Sequence, residues 1–162
     1  MNELIQTLKE LLGSTVALRY KAHGYHWNVE TDDFPQYHML FESIYSSLDE
    51  TIDPMAEWIR MLGEYAPFKL SRFSALSAIP ESDVTSDPEN MAADLLKDHQ
   101  ASALAFANAF DMATNLKQQG LANFLADCMT THQKWAWQLR ASTSEVEPAG
   151  MMEPDMPIAT QA

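Results

Sequence analysis

A chain of 162 residues with 46% hydrophobic residues, a formal net charge of −13 and a single cysteine has the size of one domain that buries its own core. Its ten Lys and Arg residues are scattered singly, which excludes a clustered basic surface for phosphate backbones, whereas the acidic excess draws dissolved metal cations. Cys128 has no partner for an internal disulfide or a thiolate metal site, and no basic-then-apolar leader or apolar run near the roughly 20 residues of a bilayer span is visible; a soluble, cytoplasmic protein without membrane association is expected.

Leu4, Ile5, Leu8, Leu11, Leu12, Val16 and Tyr20 recur at helical spacing and predict a first helix from 3 to about 28, with Asn2 as its cap. Asp33-Phe34-Pro35-Gln36 reads as the start of a second: an Asp cap, a proline in the first turn, and a Gln three places on to close a capping box. Its apolar face is Leu40, Phe41, Ile44, Leu48, Ile52, Met55, Ile59 and Leu62, and it ends near Gly63. Residues 65–88 form a long connection with one short helix through Leu70, Phe73, Leu76 and Ile79. Asp87-Pro88 opens the third long helix, which runs through Leu95, Leu104, Phe106 and Phe110 to a C-terminal Gly120, and the fourth spans 121 to about 142. The expectation is an all-α, ferritin-like four-helix bundle with a short extra helix in the long crossover. It divides into a domain over 1–143 and an acidic, Pro- and Met-containing tail over 144–162, which carries four carboxylates and no Lys or Arg and reads as a mobile or partner-draped extension.

The candidate chemistry lies on the second helix. At about 100 degrees per residue, with His38 at zero, Glu42 falls at about 40, Asp53 at about 60 and Glu57 at about 100, so the four share one stripe. Along the axis, however, His38 and Glu42 stand about 15 residues, or roughly 22 Å, from Asp53 and Glu57, too far for one metal. His38 and Glu57 are equidistant from a centre between Ser47 and Leu48, as are Glu42 and Asp53. An antiparallel copy of the helix about a two-fold axis there sets Glu57 of one subunit beside His38 of the other and Asp53 beside Glu42, with Ser46 and Ser47 small enough for close approach. A symmetric dimer then makes two equivalent sites, and His26 caps each from the first helix. Imidazole plus carboxylate without thiolate suits Fe(II) and, less selectively, Zn(II) or Mn(II).

With these residues in view, the chain resembles the Dps family, the DNA-binding proteins from starved cells, which are mini-ferritins. The resemblance covers about residues 3–142 and rests on His26-Trp27-Asn28, then His38 and Glu42, then Asp53 and Glu57 at the family's spacings. It implies that His26, Asp53 and Glu57 hold a first iron and His38 and Glu42 a second, with Glu57 able to bridge and Trp27 supplying electrons or quenching radicals beside the site. It also implies a ferroxidase that oxidises Fe(II), preferentially with hydrogen peroxide rather than dioxygen, and stores ferric mineral in a dodecamer of two-fold dimers. Three features depart from the pattern. Glu42 stands where the family commonly has Asp. Pro54 follows Asp53 and gives that residue a rival role as a helix cap. No Lys/Arg-rich N-terminal arm is present, so DNA binding is not expected.

Other readings stay beside these. A structural shell that has lost the ferroxidase chemistry, or a DNA-compacting protein, is the alternative function. His23 is a solvated histidine or a transient iron site; His99 and His132, without metal-spaced partners, are structural. Trp58, Trp135 and Trp137 pack or form interfaces, and Cys128 is a small buried hydrophobe. Met151, Met152 and Met156 fill the tail or touch soft metals. Glu81, Asp83, Asp87 and Glu89 line an iron-entry pore at a three-fold axis or are ordinary helix-start acids. No Glu-x-x-His occurs, which argues against a di-iron site inside one bundle.

Overall fold

The computed structural model describes residues 1–143, which form five helices and no strand: α1 (Asn2–Asn28), α2 (Phe34–Met61), α3 (Leu70–Leu76), α4 (Pro88–Asn115) and α5 (Gln119–Ser142). The tail, with its three methionines, lies outside the described residues.

α1 and α2 form an antiparallel hairpin, with His26 against His38 at one end and Lys9 paired with Glu64 at 3.3 Å at the other. α4 and α5 form the second hairpin. The crossover carrying α3 joins them, and Lys21 to Asp98 at 2.6 Å and Trp135 Nε1 donating to Ser47 at 3.2 Å tie one to the other. The core has two apolar halves. One gathers Leu8, Leu12, Met55, Phe106 and Leu125; the other gathers Leu18, Phe41, Leu48, Leu95 and Leu139. Along α4 and α5 the buried polar residues Asp98, His99, Ser102 and His132 fall between the two sets.

The helix ends follow local chemistry, with corrections. Asp87 caps α4 as expected, accepting from the Glu89 and Asn90 amides at 2.9 and 3.4 Å. Asn2 already lies inside α1, and Met1 occupies the cap position without a side-chain bond. Asp33 precedes α2, but its carboxylate makes no cap bond: at φ −93 and ψ 27 it lacks the extended backbone a cap needs. The capping box is therefore absent, and the Asp33 carbonyl accepts from the Gln36 and Tyr37 amides instead.

α2 closes at Gly63, whose φ of +94 lets its own amide reach the Arg60 carbonyl and the next amide reach Ile59. The same motif ends α4, but five residues before the expected end at Gly120. Lys117, at φ 58, takes the left-handed position, with its amide on Thr114 and the Gln118 amide on Ala113. Gly120 instead opens α5 under Trp58, where a Cβ would stand 3.1 Å from the ring.

Two residues expected in the core are on the surface. Tyr20 is 55% exposed because the buried face of α1 passes to Leu18 and Ala22, and Leu104 is 70% exposed because α4 turns Ser102 and Phe106 inward. α3 docks on α1 at Gly13, where a Cβ would lie 2.8 Å from Leu76 Cβ and 2.9 Å from the Phe73 carbonyl. α2 passes through Pro54 as one helix, so Asp53 is not a cap and keeps its helical register.

Candidate metal centre

The closed end of the α1–α2 hairpin, beside the connection over 29–33, brings His26, in the last turn of α1, against His38, in the second turn of α2. Each imidazole bonds the other residue's backbone: His26 Nδ1 lies 2.9 Å from the His38 carbonyl and His38 Nδ1 lies 2.8 Å from the His26 carbonyl. The rings stack with centroids 3.6 Å apart, and Phe34 stacks on His38 at 4.7 Å. A carbonyl only accepts, so each Nδ1 carries the proton and the neutral ring's lone pair sits on Nε2. Among the described residues neither Nε2 has a hydrogen-bond partner. A carbonyl bonded to the far ring nitrogen in this way fixes the tautomer and the orientation of a ligating histidine.

Beside the pair, Arg19 grips Asp49 with two bonds, Nε to Oδ1 at 2.9 Å and Nη2 to Oδ2 at 3.0 Å, and its Nη1 donates to His23 Nδ1 at 2.8 Å. A guanidinium only donates, so neutral His23 carries its proton on Nε2 and has no free lone pair for a metal. Burial, then the charges of Arg19 and His26, lower the His23 pKa. Its ring wedges between Trp27 and Tyr45, each 4.2 Å away, and Tyr45 meets His26 edge-on at 5.3 Å. His23 is thus neither free in solvent nor a ligand. Trp27, 62% exposed, reaches the histidine pair through His23. The sequence reading missed Arg19, Tyr45 and Asp49. Their signals were the four-residue step from Arg19 to His23 and the fall of Tyr45 and Asp49 within about 20 degrees of His38 on the α2 wheel.

Glu42, Asp53 and Glu57 are exposed and bond to nothing among the described residues. The unbroken helix keeps them on the His38 stripe, well away from the core face of Phe41, Ile44, Leu48, Met55 and Ile59. Within one chain Asp53 and Glu57 are not brought to the histidines. No group of three or more His, Cys, Asp or Glu among the described residues is placed to hold a metal ion. Ser46 is exposed on the stripe, whereas Ser47 accepts from Trp135 Nε1 at 3.2 Å.

α1 is held in place from behind. Lys21 bonds Asp98 at 2.6 Å and Asp94 at 3.2 Å, and the Tyr25 and Ser82 hydroxyls each donate to Asp94 at 2.6 Å. In the core, His99 and His132 share an Nδ1···Nδ1 hydrogen bond of 2.9 Å. Burial pushes His99 well below the usual histidine pKa and His132 down to about 4. They are structural, but as a pair that their separation of 33 residues hid. Cys128 is buried, and burial raises its thiol to about 12, which keeps it protonated and inert. Trp58 packs near Phe124, whereas Trp137 is exposed.

The ferritin-like domain family matches residues 5–147, and relatives across most of the chain are DNA protection during starvation proteins. The chain belongs to the ferritin-like Dps family. One of those relatives, from Helicobacter pylori, is 28% identical over 137 residues, 84% of this chain and 95% of the relative. A low temperature-induced protein of Nostoc sp. is 33% identical over 152 residues, 91% of this chain and 84% of that one. The crystal structure of the Dps protein from Vibrio cholerae O1, described as a member of a broad superfamily of ferritin-like diiron-carboxylate proteins, superposes with a TM-score of 0.84. That likeness covers 87% of this chain and 89% of the other at 24% identity, and establishes the fold of this Dps-family chain.

Proposed function

We propose that the chain is an iron-storage and detoxification protein that oxidises Fe(II), preferentially with hydrogen peroxide, at di-iron sites between two-fold-related subunits. The ferric product is stored in a hollow dodecameric shell. The observation that carries this reading is the reciprocal Nδ1-to-carbonyl lock of His26 and His38, which frees two Nε2 lone pairs at the end of a stripe of unpartnered carboxylates. An antiparallel partner supplies what one chain lacks. Asp53 and Glu57 of one subunit join His26 for the first iron, and His38 and Glu42 take the second with Glu57 able to bridge.

Imidazole and carboxylate donors without thiolate fit Fe(II) and also admit Zn(II) or Mn(II). One peroxide accepts two electrons, each of two Fe(II) ions gives one, and two protons complete two waters, so a paired site removes both reactants that otherwise generate radicals. Trp27, linked to the pair through His23, is placed to give up an electron to a stray oxidant.

The reading assigns the ferroxidase shell to 1–143, leaves 144–162 as a separate tail, and places the protein in the cytoplasm. No helix among the described residues is long and apolar enough to cross a membrane. It does not include DNA compaction, because a net charge of −13 opposes a phosphate backbone. Mixing purified protein with Fe(II) and peroxide, beside a His38→Ala/Glu57→Ala variant, tests it. The wild type is expected to oxidise iron at least about tenfold faster, and equal rates would overturn the enzyme reading.

A further inference from the structure

Among the described residues, the rings packed against the His26/His38 pair are His23, Phe34 and Tyr45. Imidazole and phenyl rings resist one-electron oxidation, whereas a phenol yields an electron together with its O–H proton, so Tyr45 is the oxidisable ring in direct contact. It meets His26 edge-on, with centroids 5.3 Å apart and planes 76° apart, and lies 4.2 Å from His23. Trp27, the indole nearby, makes its contact with the far partner of that stack, His23, also at 4.2 Å. Arg19 is fixed by two bonds to Asp49 and one to His23, and its guanidinium stands 5.3 Å from the centre of the Tyr45 ring. A permanent cation there opposes a positively charged phenol, so electron and proton leave the ring together.

We propose that Tyr45 is a redox side chain of this centre, the first to be oxidised when peroxide meets a single Fe(II), and that His23 bridges it to Trp27. This rests on the iron-oxidising reading above. A site holding one Fe(II) gives peroxide one electron: the O–O bond breaks to hydroxide and a hydroxyl radical, and the iron becomes Fe(III). The radical takes the electron and the proton of the Tyr45 O–H bond, forming water and a neutral tyrosyl radical. Trp27 then restores Tyr45 across His23. The indole gives up an electron and releases its N–H proton to water, the phenoxyl oxygen takes a proton from water, and a neutral indolyl radical remains on a ring that is 62% exposed. His23 stays neutral throughout, held between the two rings by Arg19. The oxidising equivalent thereby leaves the His26/His38 edge without attacking the imidazoles.

The test mixes the full chain, given less Fe(II) than its sites can hold, with hydrogen peroxide and freezes it for electron paramagnetic resonance, with a spin trap counting hydroxyl radicals that escape. The wild type is expected to show a tyrosyl signal that narrows when the protein carries ring-deuterated tyrosine and that gives way to an indolyl signal. Tyr45→Phe, which keeps the ring and its packing, should lose the tyrosyl signal and release more trapped radical for each Fe(III) formed. His23→Ala should keep the tyrosyl signal and slow its passage to Trp27; an indolyl signal that forms as fast without His23 overturns the bridge. A wild type without a tyrosyl signal, a signal undiminished in Tyr45→Phe, or equal trapped radical from both proteins overturns the inference and leaves the iron site standing. Iron oxidised no faster than by the His38→Ala/Glu57→Ala variant overturns the site itself, and the role of Tyr45 with it.

Discussion

The proton on Nδ1 decides what His26 and His38 can do, and the backbone carbonyls opposite decide where that proton sits. His23 carries the reverse assignment because its neighbour is a guanidinium. Three histidines within one segment thus divide into two ligand candidates and one wedge, a distinction that residue type and spacing do not encode. Replacing Arg19 by Ala should release His23 and Tyr45 and slow iron oxidation by roughly 10-fold, the scale of losing a group that holds a ligand in place, while stopped-flow iron binding by His38 persists.

The buried His99–His132 pair makes a different prediction. Its folded-state pKa values lie below the unfolded value of 6.5, that of His132 at about 4. Above pH 6.5 both states are neutral; as pH falls the unfolded chain takes up protons first, so stability is lost between about 6.5 and 4, on the order of 3 kcal/mol for His132 alone. Urea midpoints measured across that window should fall for the wild type and stay nearly flat for a His99→Leu/His132→Leu variant.

The α2 helix is where local rules were both sufficient and misleading. Its extent, its apolar face and its carboxylate stripe were legible because they depend only on 3.6-residue periodicity. Its start was misread, since Asp33 has the residue type of a cap but not the backbone. Asp53 before Pro54 offered a second cap that the helix does not use, because apolar residues on both sides of Pro54 are buried, Leu48 in one half of the core and Met55 in the other, and hold the register. Pro54→Ala should therefore raise the unfolding midpoint, by up to about 3 kcal/mol in an ideal helix interior. A fall in iron oxidation alongside that gain would show that the proline sets the aim of Asp53.

Where α4 ends was misjudged for a tertiary reason: Gly120 is small to admit Trp58, and Lys117 makes the turn. The contact of α3 with α1 at Gly13 was likewise not legible, since it joins residues about 60 apart. Gly13→Ala forces its Cβ within 2.8 Å of Leu76 and should cost about 1–3 kcal/mol by overpacking, read as a lower midpoint with α3 protected less against amide exchange.

At the scale of the whole molecule, bundle topology followed from four long helices and one long crossover, and matches the described fold and the Dps relatives. The buried cross-links did not, because Lys21–Asp98 and His99–His132 join residues far apart in the chain. At a net charge of −13, no DNA mobility shift is expected even at low salt, where phosphate binding is strongest.

The central claim is that two chains share each site, and subunit mixing tests it most directly. His38→Ala and Glu57→Ala proteins, each inactive alone, are dissociated together, reassembled and assayed for peroxide-driven iron oxidation. In a mixed pair both defects fall in one site and the other is intact, so random pairing is expected to restore about one quarter of wild-type activity. If the mixture stays as inactive as its parents while exchange is verified by native mass spectrometry, the shared site is contradicted.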